Sequence, residues 1–182
     1  MRRSRSRIAA IAIAAASLAV PAAVAVAGPA APSVPGDIAV EDGHKPYLIA
    51  HAEGVQIYTC ASVPGGYAWR LLAPRAALTG EDGKGIGSHY AGPKWETRDG
   101  SVVAAARDAD TSVDSTAVDW LRLKATSTTE GRLEATTYIQ RINTAGGRPP
   151  AADEDPCDLD TLAESREIPY SADYVFFKAT GG

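Results

Sequence analysis

The sequence predicts a mainly β protein: one antiparallel β-sandwich or barrel of about eight strands. Three observations carry this. Apolar residues recur at every second position in short runs. Glycine, Asp-Gly and proline break those runs at short intervals. Helix signals are confined to Thr161-Leu162-Ala163-Glu164, whose capping-box spacing allows at most one short helix near 160–166.

The first 27 residues are set apart from this pattern. Arg2, Arg3, Arg5 and Arg7 precede an alanine-rich apolar run from Ile8 to Val26, which exits through the small residues Ala25-Val26-Ala27. Basic head, apolar middle and small-residue exit are the parts of a cleavable secretory signal peptide. Pro21 and the absence of a positive cluster afterwards argue against a retained anchor. Residues 28–36, with three prolines and two glycines, read as a linker, and residues 37–182 as a single β-rich domain.

Charge sharpens once the leader is removed. The whole chain of 182 residues carries a formal −4. All 22 acidic residues but only 14 of the 18 basic ones lie beyond residue 27, so the exported product carries −8. Such a chain is poorly attracted to nucleic acid or anionic lipid, and no stable membrane insertion is expected after cleavage.

The strands follow in order. Tyr47–Ala52 is an apolar run. Gly54–Cys60 alternates, with Val55, Ile57 and Thr59 on one face and Gln56, Tyr58 and Cys60 on the other. Tyr67–Leu72 continues the theme. Lys94–Thr97 and Val102–Ala106 flank Arg98-Asp99-Gly100-Ser101, where Asp-Gly supplies the positive φ angles of a hairpin turn. Ala117–Ala125 alternates Leu121, Leu123 and Ala125 against Trp120, Arg122 and Lys124. Arg132–Ile142 is rich in Thr and Ile, whose stiff χ1 angles disfavour helix. Tyr170–Phe177 ends the pattern with four aromatics, and residues 148–158 are a proline-rich acidic loop.

Cys60 and Cys157 are the only cysteines, an even count in an exported chain, and predict a disulfide. The three histidines, His44, His51 and His89, fit no zinc spacing, and no metal site or cofactor motif is expected. Asp108, Asp110, Ser112, Asp114 and Asp119 match calcium-loop spacing, but Val113 stands where the loop needs glycine, so a solvated acidic loop is the better reading. His44 follows Asp42-Gly43 in a turn and is expected to be solvated, and His51 lies at a strand end.

The segment from Gly85 to Glu96 gathers glycines, His89, Tyr90, Trp95 and Glu96 within twelve residues. These four are the ligand-binding candidates: aromatics stack on a sugar or flat ligand, glycine lets backbone approach closely, and His or Glu serves as acid or base. The competing reading is a hairpin whose aromatics fill the core. No nucleophile elbow or phosphate loop occurs, which argues against catalysis and leaves catalytic residues unassigned.

The chain resembles a family of secreted bacterial and fungal proteins, domain of unknown function 3455. The resemblance runs through Gly54–Cys60, Trp69, Pro74, Ala76, Leu78, Gly87–His89, Gly92-Pro93 with Trp95, and Asp99-Gly100-Ser101. It continues through Trp120-Leu121, Ile139-Gln140-Arg141, Gly146-Gly147 and Pro169-Tyr170 with Ala172 and Tyr174. It implies a single exported domain and brings no catalytic residue with it.

The functional expectation is therefore a secreted, extracellular binding module for carbohydrate, another extracellular polymer or a small molecule. Two alternatives stand beside it: a hydrolase pairing His89 with Glu96 or Asp82, and a structural envelope or coat protein.

Overall fold

A computed structural model describes residues 28–181; the proposed signal peptide lies outside the described residues. Eight strands follow one another: β1 His44–Val63, β2 Gly66–Thr79, β3 Gly85–Tyr90, β4 Lys94–Thr97, β5 Val102–Thr111, β6 Trp120–Thr128, β7 Thr136–Gly146 and β8 Ser165–Ala179. Each pairs antiparallel with its sequence neighbour, and β8 returns to β1, from His44 opposite Ala179 to Thr59 opposite Ser165. The sheet is thus a closed up-and-down barrel, which decides between the two architectures open to the sequence. Closure removes every unpaired strand edge.

The two runs Tyr47–Ala52 and Gly54–Cys60 are one strand, β1. Gly54 sits inside it because a Cβ there would lie 2.1 Å from the Arg75 carbonyl oxygen of β2. The capping-box spacing allows at most one short helix near 160–166, and the structure forms none: these residues turn back on β1. Ala163 adopts φ 69°, its N–H donates to the Cys60 carbonyl, and the Cys60 N–H donates to Glu164. Backbone pairing to β1 has replaced the intrahelical bonds that a capping box would begin.

Strand alternation divides the side chains between inside and outside. Leu48, Ala50, Ala52, Leu78, Val103, Leu133, Ile139 and Phe176 fill the interior. Outside, Ile38, Tyr138, Ile142, Val175 and Phe177 form a second cluster, with Val34 and Val40 packed on it. The segment preceding β1 therefore lies against the barrel wall, after a 3-10 turn at Gly36–Ile38. The buried Gln140 donates to the Ile38 carbonyl at 2.7 Å and holds it there.

The two ends of the barrel differ. At the lower end short turns join β2 to β3, β4 to β5 and β6 to β7. At the upper end lie the β5–β6 connection and the long loop between β7 and β8. That loop is held by the Cys60–Cys157 disulfide, with 5.3 Å between Cα atoms. It is held also by Trp69, whose indole N–H donates to the Asp155 carbonyl at 2.8 Å, and by the Arg166–Asp155 ion pair at 2.6 Å. A bridge spanning 97 positions stabilises by about 4–5 kcal/mol in chain-entropy terms.

Among the described residues no helix is long and apolar enough to cross a membrane, which says nothing of strands.

Candidate functional site

The β3–β4 hairpin sets the site. His89 lies directly opposite Trp95, and Ser88 opposite Glu96. Because adjacent strand residues point to opposite faces, His89 and Trp95 enter the barrel while Tyr90 and Glu96 stay outside. The four sequence candidates are thus split. Inside, the His89 and Trp95 rings stack at 4.3 Å with 10° between planes, and Tyr174 of β8 meets them edge-on at 5.0 and 5.2 Å. Outside, the Tyr90 hydroxyl donates to Glu96 at 2.9 Å. Gly87 serves the hairpin rather than a ligand: a Cβ there would lie 1.9 Å from the Glu96 carbonyl oxygen.

His89 has a defined protonation. Its Nδ1 lies 2.9 Å from the Lys94 carbonyl, which only accepts, so Nδ1 carries the proton and Nε2 is left as an acceptor. Burial pushes its pKa down to about 4, with the Arg141 charge acting in the same direction and the Lys94 hydrogen bond opposing. The ring is neutral at ordinary pH.

Two further inward residues, Gln56 and Arg141, complete the upper interior. Gln56 of β1 is 1% exposed, and its Nε2 has no partner; Trp95 is 1% exposed, and its Nε1 has none either. An unpaired buried donor costs about 1–3 kcal/mol. Among the described residues Gln140 Oε1 and Arg148 Nε are also buried without a partner, but only Gln56 and Trp95 bring theirs to one cavity. Arg141 of β7, opposite Tyr174, donates from Nε and Nη2 to the Asp119 carbonyl at 3.1 and 2.7 Å. Among the described residues no carboxylate lies within ion-pair distance of it. Burial raises the pKa of the Tyr174 phenol, so it remains an O–H donor.

These groups face one cavity of about 300 Å³ at the upper mouth, with apolar walls from Pro74, Pro93 and Leu121. Leu71 and Leu72, 53% and 62% exposed, form its lip.

The remaining sequence candidates go elsewhere. Asp82 pairs with Lys84 at 3.0 Å at the lower mouth, and lines a more open cavity of about 640 Å³ there. Neither Glu96, across the barrel wall, nor Asp82, at the far end, can act with His89. His51 pairs with Asp173 at 2.6 Å on the outer surface. His44 is half-buried against the Tyr138 ring at 5.0 Å rather than solvated. The calcium-spaced acids disperse: Asp108 pairs with Arg122, Asp110 with Arg107 and Asp119 with Arg148. Among the described residues no group of three or more His, Cys, Asp or Glu is placed to hold a metal.

Residues 41–178, from the entry to β1 to the last residue but one of β8, match the family model described as a protein of unknown function, DUF3455. The chain belongs to the DUF3455 family. No curated protein and no solved structure matches it.

Sequence reasoning about this DUF3455 domain passed over Gln56, Arg141 and Tyr174 as site residues. A signal existed for two of them. Gln56 sits in phase with Tyr58 and Cys60, and Arg141 in phase with Ile139, so each places a polar group on the core side of a strand. Tyr174 carried no such mark, since a tyrosine in an aromatic strand reads as packing.

Proposed function

We propose that this DUF3455 domain is an extracellular binding protein that takes a small molecule into the upper mouth of its barrel. The observation that carries the reading is the pair of unpartnered buried donors, Trp95 Nε1 and Gln56 Nε2, on residues lining one cavity. Native interiors pair such groups with protein, water or ligand. An eight-stranded barrel has an interior just wide enough to be filled or to hold one small ligand. Here the upper interior retains about 300 Å³, at the small end of ligand sites, and its lining, unlike that of the more open lower cavity, carries the unpartnered donors.

The same geometry favours a small molecule over a long glycan. Trp95 is buried and stacked on His89, so it offers no open flat face of the kind on which sugar chains lie. An extracellular setting draws support from the leader-like residues 1–27 and from the Cys60–Cys157 bridge, which persists in oxidising compartments.

The test is NMR of the Trp95 indole N–H, assigned through Trp95→Phe, while pools of small extracellular metabolites are titrated in. Binding shifts that resonance and leaves those of Trp69 and Trp120 in place. If no pool moves it and glycan arrays give a ligand instead, the upper mouth is not the site.

A further inference from the structure

The charge balance of the upper mouth says what kind of molecule fits. Arg107 is offset by Asp110 and Asp119 by Arg148. Arg141 has the Asp119 backbone carbonyl and the Tyr174 hydroxyl as partners, and neither carries a net charge. The mouth of an otherwise acidic domain thus holds one uncompensated guanidinium, whose fork suits a carboxylate.

The hydrogen-bonding inventory points the same way. Trp95 Nε1 and Gln56 Nε2 are donors without acceptors, and the Tyr174 hydroxyl, 3.4 Å from that of Tyr170, adds an O–H when it accepts from Tyr170. The acceptor side is supplied by His89 Nε2. A cation would face the Arg141 charge, and a purely apolar guest would leave the donors as unpaired as before. The apolar walls and the small volume suit one ring or a short chain rather than a bare inorganic anion or a nucleotide.

We infer that the occupant is a small organic monocarboxylate: its carboxylate rests on Arg141, the neighbouring donors bond its oxygens, and its apolar body lies along Pro74, Pro93 and Leu121. This rests on the reading that the upper mouth binds a small molecule. His89 does not add to the positive charge, because it stays neutral. It is left to accept a hydrogen bond from a ligand hydroxyl.

The experiment compares acids with neutral amides of the same shape: benzoate against benzamide, and hexanoate against hexanamide. Affinity is read from the Trp95 indole shift. The acids bind at least about ten-fold tighter than their amides. Arg141→Gln brings each pair to within about two-fold, and Arg141→Lys, which keeps the charge, restores most of the difference. Should Arg141→Gln not fold, the unmodified protein still decides. Raising salt from about 0.05 M to about 0.5 M weakens acid binding and leaves amide binding unchanged.

Amides binding as tightly as acids, or a preference that survives Arg141→Gln, overturns the inference while small-molecule binding stands. Inorganic phosphate binding more tightly than benzoate overturns the carboxylate assignment as well. If neither acids nor amides move the Trp95 resonance in the folded protein, the inference falls. The binding reading falls with it only if the metabolite pools also leave that resonance unmoved.

Discussion

The two ends of the barrel are made by the same eight strands and treat polar groups in opposite ways. At the lower end Asp99 accepts hydrogen bonds from Thr97 Oγ1 at 2.6 Å, Ser101 Oγ at 2.8 Å, Ser101 N at 3.1 Å and Arg132 N at 2.8 Å. Those bonds hold its carboxyl well below the usual carboxylate range, the Thr97 hydroxyl contributing most. At the upper end Trp95 and Gln56 keep donors without partners, and Arg141 keeps a charge without a counterion. A motif that completes its own hydrogen bonds is a structural knot. Groups left incomplete at comparable cost mark a place where something else completes them.

The sharpest way to separate the two ends is to damage the lower one. Leu78, 1% exposed near the foot of β2, belongs to the core of the lower half. Leu78→Ala is expected to lower stability by about 2–5 kcal/mol, the usual range for a buried leucine. Affinity at the upper mouth should not change. Urea unfolding and the Trp95 titration measure the two quantities separately. A parallel loss of affinity in the folded variant would make the ends one coupled unit.

A second prediction uses pH. His89 titrates in the folded protein at about 4 and in the unfolded chain near its ordinary 6.5. Its neutral form is the one the fold favours. Its contribution is therefore fully present above about pH 6.5 and is lost as pH falls toward about 4. Between about pH 7 and about pH 5 this amounts to about 2 kcal/mol. Asp99 at the other end behaves differently: its contribution is present above the ordinary carboxylate value and is lost only as pH falls below it. Stability measured across about pH 7 to 5 should slope in the unmodified protein and flatten in His89→Gln. A flat profile in the unmodified protein would mean His89 is not held neutral.

The contrast between the ends also explains what was legible in the sequence. Alternation over Gly54–Cys60 and Trp120–Ala125 announced strands because each pattern is local. The Asp99-Gly100 turn was readable for the same reason. Closure was not readable. It depends on β1 meeting β8, as in the His51–Asp173 pair 122 positions apart, and no local pattern encodes that register. β3 was obscured by Gly85 and Gly87, which lower strand propensity, although Gly87 is needed for close approach to β4. Of the site, the His89–Trp95 pairing was half visible: proximity in sequence flagged the hairpin, but not that parity sends Tyr90 and Glu96 outward. Arg141 comes to the same mouth from a distant strand, and only the barrel brings it there.

The smallest predicted effect is the most discriminating. Gln56→Leu replaces a buried amide by an apolar group of similar size and removes the unpaired donor. In the empty protein the variant should be more stable by about 1 kcal/mol, since nothing is lost and a desolvated N–H is gone. Affinity for the small-molecule ligand should fall about five-fold, the effect of one neutral hydrogen bond. Opposite signs in stability and affinity are what a group kept for a ligand produces. Thermal unfolding of the empty protein, set beside the Trp95 titration, reads both signs. A loss of stability instead would mean that Gln56 is bonded within the protein and that the upper mouth is knotted like the lower.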